Sequence, residues 1–212
     1  MSIQTIIDNS TFLTVDKKKL AGQSLSRSGV LLTATVASNV PYRFVVGMHD
    51  GLTYSTNRNV LEELDTLDTT TEENIDIGST NSGLSYVTAK LGTLGGSPTI
   101  TSASALEIVV NTTGATGSGV ALKKGDYIQP GTSYRYPYQV TADVTWNATS
   151  ITVPIHRPFI DQSGYTVSGK PLLLGNAVTW NVKMSVKPKY SIVPHDRILF
   201  DSDFELVEVI QT

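Results

Sequence analysis

The sequence predicts an all-β protein, mainly antiparallel and built as a sandwich or barrel, with one short helix near residues 57–68. Three observations carry this reading. Tyr138–Trp146 alternates without a break, with Tyr138, Val140, Ala142, Val144 and Trp146 on one side and Gln139, Thr141, Asp143 and Thr145 on the other. Val178–Lys187 repeats the pattern, with Val178, Trp180, Val182, Met184 and Val186 set against Thr179, Asn181, Lys183, Ser185 and Lys187. A period of two puts successive side chains on opposite faces of a strand, so each tract reads as a strand with one buried and one wet face. The third observation is compositional: 27 Thr and 21 Ser in 212 residues favour strands and hydroxyl-rich loops over helices.

Taken in order, Val30–Val36 and Tyr42–Met48 alternate, and Ser38-Asn39-Val40-Pro41 between them suits a hairpin. The helix follows. Ser55 or Thr56 can cap it, and Val60, Leu61, Leu64 and Leu67 fall on one face. Glu62, Glu63 and Asp65 lie on the other face. Asp68-Thr69-Thr70-Thr71 should end it, because hydroxyl and β-branched side chains compete with helical backbone. Leu84–Leu91 and Leu106–Val110 read as strands. Between them Gly92–Pro98 has the composition of a linker. It marks a seam between a β-rich region with the helix, 1–95, and a sandwich or barrel region, 96–212, the alternative being one continuous unit. Asn111–Gly119 is a small polar loop. Val120–Leu122, Tyr127–Gln129, Ile151–Ile155 and Ile198–Ile210 complete the series. The last is apolar on both faces (Phe204, Leu206 and Ile210 against Val207 and Val209), which places it centrally in a sheet or beneath a neighbour. Short strands with turns at roughly 8–12-residue spacing and no βαβ rhythm mean a sandwich or barrel.

Composition excludes several chemistries. A chain of 212 residues with 40% hydrophobic and 17% charged residues can bury a core without staples. There is no cysteine, which rules out disulfides, zinc–thiolate sites, iron–sulfur clusters and cysteine nucleophiles, and fits a reducing compartment. Met1-Ser-Ile-Gln-Thr5 has neither the basic nor the apolar region of a signal peptide. No apolar run approaches the ~18 residues of a membrane helix. Charge is blocked: net +3 over residues 1–58, −7 over 59–119, +5 over 120–200 and −4 over 201–212. No block is basic enough for a nucleic-acid footprint, and complementary blocks suit a homo-oligomer or stacked assembly.

No catalytic, cofactor or metal constellation emerges. His49, His156 and His195 lie far apart, without a second ligand at metal spacing. Nothing resembles a nucleophile elbow, and Gly114, Gly117 and Gly119 form no phosphate loop because no helix follows. Asp201-Ser-Asp203-Phe-Glu205 lacks the glycine and distal glutamate of a calcium loop and reads as a turn. Lys124-Gly125-Asp126 has the form of an adhesion tripeptide, but a tight turn launching Tyr127 explains it better. Tyr134, Tyr136 and Tyr138, with Arg135 between, can stack on sugar rings or pack a protein interface, where Tyr and Arg are enriched. Arg197 precedes the apolar Ile198-Leu199-Phe200 and calls for a countercharge within the fold or across a subunit contact, with Asp126, Asp143 and Asp196 as candidates. The candidate residues are therefore those of an interface: Tyr134, Arg135, Tyr136, Tyr138, Glu62, Glu63, Asp65 and Arg197.

Several tracts resemble a known family. Leu122-Lys-Lys-Gly-Asp-Tyr-Ile-Gln-Pro130, Tyr134-Arg-Tyr-Pro-Tyr-Gln-Val-Thr-Ala-Asp-Val144, Val193-Pro-His-Asp-Arg-Ile198 and Asp203-Phe-Glu-Leu-Val-Glu-Val209 are similar to virion structural proteins of tailed bacteriophages, notably those of cyanobacteria and other aquatic bacteria. Ser26-Arg-Ser-Gly29, Pro41-Tyr-Arg-Phe44 and Asn57-Arg-Asn-Val-Leu-Glu-Glu-Leu-Asp65 fit the same family, so the resemblance touches most of the chain. It implies a non-enzymatic tail or baseplate component without cofactors. Such a component is assembled in the host cytoplasm in several symmetric copies, with other virion proteins as partners and neither nucleic acid nor membrane. The alternative from the residues themselves is a carbohydrate- or receptor-binding sandwich that uses Tyr134–Tyr138 as its platform.

Overall fold

The computed structural model describes residues 3–17, 21–25, 31–35, 41–48, 52–67, 70–78 and 83–210. The chain opens with α1 (Ile3–Asp8), β1 (Ser10–Lys17), β2 (Ala21–Leu25), β3 (Leu31–Thr35), β4 (Tyr42–Met48) and β5 (Leu52–Thr53). There follow α2 (Tyr54–Thr66), β6 (Glu72–Asp76), α3 (Ser85–Thr88), β7 (Thr99–Ser104), β8 (Glu107–Asn111), β9 (Val120–Leu122) and β10 (Tyr127–Pro130). The remainder comprises β11 (Tyr138–Gln139), β12 (Val144–Thr145), β13 (Ser150–Pro154), β14 (Leu172–Leu174), β15 (Thr179–Val186), β16 (Tyr190–Val193), β17 (Arg197–Phe200) and β18 (Phe204–Glu208). With 45% strand and 13% helix, the fold is all-β, and every strand pair is antiparallel.

The largest sheet runs β1-β4-β18-β15-β6. Its register sets Leu206 opposite Phe44, Phe204 opposite Val46 and Trp180 opposite Ile75. Cross-strand partners share a face, so these side chains meet in one layer. Ile3, Ile6 and Ile7 of α1 and Leu61 and Leu64 of α2 complete this first core. The opposite face carries Arg43, Glu205 and Lys183. The second core is built from the middle of the chain, Leu94 to Leu172, and includes Ile108, Val110, Ile128, Val153 and the tyrosines 134, 136 and 138. All four residues of β10 are buried, and its alternation serves both cores: Tyr127 faces the first and Ile128 the second.

The division expected at residue 95 follows neither core. β15 and β18, from the C-terminal part, complete the sheet begun by β1, β4 and β6. Gly92–Pro98 is no linker: Leu94 is fully buried, and Thr93, Leu94 and Gly95 donate backbone hydrogen bonds to Val120, Ala121 and Thr116 at 3.0, 2.8 and 2.7 Å.

Other expectations are met or corrected element by element. The helix covers Tyr54–Thr66, close to the predicted span. Tyr42–Met48 is a strand, but β3 pairs with β2, and β4 pairs with β1 and β18, so no hairpin joins them; residues 36–40 lie outside the described set. Leu84–Leu91 contains the short helix α3, not a strand, and Val87 N–H closes its turn on Leu84 O at 2.9 Å. Ile198–Ile210 is two strands, folded back where Asp201 accepts a hydrogen bond from Lys189 N–H at 2.8 Å. β18 is central in the sheet, as its two apolar faces require.

The Tyr138–Trp146 tract breaks in the middle. Val140 N–H bonds to Asp126 O at 2.9 Å, Thr141 N–H to Pro154 O at 3.1 Å, and Asp143 turns to accept Lys124 N–H at 2.8 Å. Trp146 is half-buried against the second core, whereas Trp180 is fully buried in the first, so the two tryptophans share no core.

Candidate functional site

The residues singled out as an interface separate into a buried group and an exposed group. Tyr134, Tyr136 and Tyr138 are 1%, 1% and 0% exposed, which corrects their reading as a sugar platform or protein contact. Their rings pack on each other and on Phe159, with Tyr134 and Phe159 stacked at 5.4 Å. Their hydroxyls close a ring of hydrogen bonds. Ile160 N–H donates to the Tyr138 hydroxyl at 2.9 Å, Tyr138 and Tyr134 oxygens are 2.8 Å apart, and the Tyr134 hydroxyl donates back to Ile160 O. Burial first, then the neighbouring tyrosine, raises the Tyr134 pKa well above the phenol range. Tyr138 is pushed up to about 12, again chiefly by burial. Both phenols stay neutral and act as fold-holding donors and acceptors.

Arg135 points outward and pairs with Glu72 at 3.5 Å, tying the turn before β11 to β6. Glu62 is exposed and pairs with Arg58 one helical turn away at 2.7 Å. Asp65 accepts a hydrogen bond from the Tyr190 hydroxyl at 3.1 Å, at the rim of an open depression of about 460 Å³ lined by Asp65, Lys187, Pro188, Lys189 and Tyr190. The side chain of Glu63 lies outside the described set. Two acids of the 59–119 block, Glu62 and Glu72, thus pair with arginines of the flanking basic blocks, and Lys183 lies opposite Glu72 in the β15–β6 register.

Arg197 is exposed and has no ion pair among the described residues, contrary to the expected pairing within the fold. The reason is register: Ile198 turns into the core and Arg197 therefore faces out. The three proposed partners are occupied elsewhere. Asp126 is 1% exposed and its carboxylate accepts Leu91, Gly92 and Lys123 N–H at 2.8, 3.0 and 3.0 Å, which also removes the adhesion reading of Lys124-Gly125-Asp126. Asp143 holds Lys124 N–H. Asp196 caps α2: its carbonyl accepts Tyr54 N–H at 2.8 Å, and its carboxylate accepts Ser55 N–H at 3.1 Å and the Ser55 hydroxyl. No side chain of α2 itself caps the helix. The Asp196 carboxylate supplies the missing acceptor from the β16–β17 turn.

The buried arginine is Arg157, which nothing in the local sequence marks. Its two terminal nitrogens each lie 2.6 Å from a different oxygen of Glu208, and neither side chain is exposed. It also donates to Pro137 O at 2.9 Å, and its guanidinium lies over the Tyr42 and Tyr138 rings at 5.3 and 5.4 Å. Glu208 Oε2 accepts Tyr42 N–H at 3.0 Å. Burial opposes the Arg157 charge, and Glu208 outweighs it, so the arginine pKa is raised. This clasp joins β18 of the large sheet to the loop after β13, and so one core to the other.

His49 lies outside the described residues, His195 is exposed, and His156 sits at the seam between the cores. No group of three His, Cys, Asp or Glu among the described residues could hold a metal ion. No described helix is long and apolar enough to cross a membrane. Among the described residues, the exposed large apolar side chains are Phe12, Leu91, Leu106, Val186, Ile192 and Leu199. No family model matches the chain, and no curated protein matches it.

Proposed function

We propose that this chain is a structural subunit of a tailed-phage virion, a tail or baseplate component that works by symmetric assembly with its own copies and other virion proteins. The observation that carries the reading is the β2–β3 hairpin, whose strands pair with each other and, among the described residues, with no other strand. A two-stranded hairpin is marginal in water on its own, and strand pairing with a neighbouring subunit in a ring or stack completes it. The tracts that resemble the phage family also build the body. Leu122–Pro130 contains the shared strand β10, Val193–Ile198 forms the turn that caps α2, and Asp203–Val209 contains β18. Among the described residues, the buried Asp126, Gln129, Arg157, Asn181 and Glu208 all bond within the chain, which suits a stiff body that acts through its surface. The glycan-binding alternative loses its platform with the burial of the tyrosines.

Sedimentation of the purified chain, and of a variant in which residues 21–35 are replaced by a short Gly/Ser turn, tests this. The expected result is a concentration-dependent oligomer for the full chain and a folded monomer for the variant. Identical monomeric behaviour of both across the concentration range would overturn the reading.

A further inference from the structure

Gln139 is the point where the seam between the two cores is tied from several sides. Its N–H donates to His156 Nδ1 at 3.0 Å, and its carbonyl accepts His156 N–H at 3.1 Å. Its side-chain oxygen accepts from the Lys17 ammonium of β1, and its side-chain nitrogen donates to Gly125 O at 3.2 Å. The His156 ring lies 5.2 Å from Tyr42 of the first core and 6.2 Å from Tyr138 of the second. Because Nδ1 accepts, the neutral ring carries its proton on Nε2.

We propose that His156 is an acid-sensitive latch: a second proton must enter at Nδ1, which turns the acceptor of the Gln139 amide into a donor and parts the strand from the loop. The proton moves from solvent onto the Nδ1 lone pair, the hydrogen bond from Gln139 N–H is lost, and as the strand parts the bond from His156 N–H to Gln139 O opens with it. The charge arriving there meets the like charges of Arg157 and of Lys17 on β1, while Glu208 of β18 is bound to Arg157 and the Tyr42 and Tyr138 phenols are neutral. Glu208 is already committed to Arg157 and Tyr42 N–H, so the seam has no spare countercharge among these groups. Burial, with Arg157 and Lys17 adding to it, lowers the His156 pKa to about 3 in the closed form. An opened seam returns it to an ordinary value near ~6.5.

The sign follows from linkage. Between those two values the open form holds a proton that the closed form lacks, so opening becomes easier as pH falls through the window. At pH 4.5 the opening equilibrium should exceed its value at pH 8 by about a hundredfold. Both cores stay folded while the seam opens, because their burial does not depend on the imidazole.

Amide hydrogen exchange, corrected for the intrinsic pH dependence, tests this on the full chain. Protection at Gln139 and His156 should fall by roughly two orders of magnitude between pH 8 and 4.5 while β15 amides hold. His156→Asn keeps an acceptor oxygen near Nδ1 but cannot titrate, so its acid step should vanish. Equal loss of protection at the seam and in β15, or an unchanged acid step in H156N, overturns the latch. If H156N does not fold, the wild-type His156 imidazole resonance decides: titration together with seam opening supports the latch, and a neutral ring up to global unfolding contradicts it.

Discussion

Arg157 and Glu208 meet side by side, with two N–O distances of 2.6 Å and no exposure of either side chain, and they bind the loop after β13 to the last strand of the chain. A buried pair of this kind is costly to break because the surviving charge has nowhere to go. Arg157→Ala or Glu208→Ala should each cost roughly 3–5 kcal/mol in urea denaturation. Arg157→Met with Glu208→Leu together should recover most of that loss, since replacing both partners by apolar groups is often near neutral. Single variants as stable as the wild type would show that the pair does not hold the cores together.

The two tryptophans report on different cores. Trp180 is fully buried, edge-on to Tyr42, Phe44 and Tyr127, while Trp146 is half-buried and covers Gly117, where an added Cβ would lie 2.4 Å from the indole. With Trp146→Phe, the remaining Trp180 emission should be blue-shifted; with Trp180→Phe, the remaining Trp146 emission should be redder. Trp180→Ala should cost roughly 3–5 kcal/mol. Identical emission maxima in the two Phe variants would contradict the burial assigned to them.

Tyr134 tests the inward reading of the aromatic cluster. Removing its hydroxyl leaves Ile160 O without its donor and Tyr138 without its partner. Tyr134→Phe should destabilise the protein by about 1–3 kcal/mol and leave its sedimentation at native pH unchanged. Unaltered stability with weakened assembly would place the ring at an interface instead.

Among the described side chains, Glu62 and Asp65 are accessible acids of α2. Each has a local partner, Arg58 or Tyr190, in an exposed setting. Charge reversal with Glu62→Lys and Asp65→Lys should change stability by no more than about 0.5 kcal/mol each and weaken assembly measured by sedimentation. Assembly as strong as wild type would remove this helix face from the contact.

The residues reveal side and burial more readily than partner. In Tyr138–Trp146, Tyr138, Val140 and Val144 are buried and Thr141, Asp143 and Thr145 exposed, as the period of two requires, but Ala142 is exposed where the strand breaks, and the halves pair with β10 and β9. Alternation records which way a side chain points; hydrogen-bond partners depend on residues distant in sequence. The same limit hid Arg157. Its countercharge, Glu208, is 51 residues away, and although the apolar run around Glu208 foretells a central strand, nothing in it points to Arg157. The tyrosine cluster was visible as a cluster, but its inward direction came from the Phe159–Ile160 segment folding over it. The Asp196 cap likewise arrives from a turn 141 residues beyond Ser55, the residue it holds.

The most direct test of the assembly role is cryo-electron microscopy of purified phage particles that contain this protein. The expected result is symmetric density in the tail or baseplate into which the two-core body fits, with residues 21–35 against a neighbouring subunit. Absence of the chain from purified virions, together with glycan hydrolysis by the isolated protein, would contradict it.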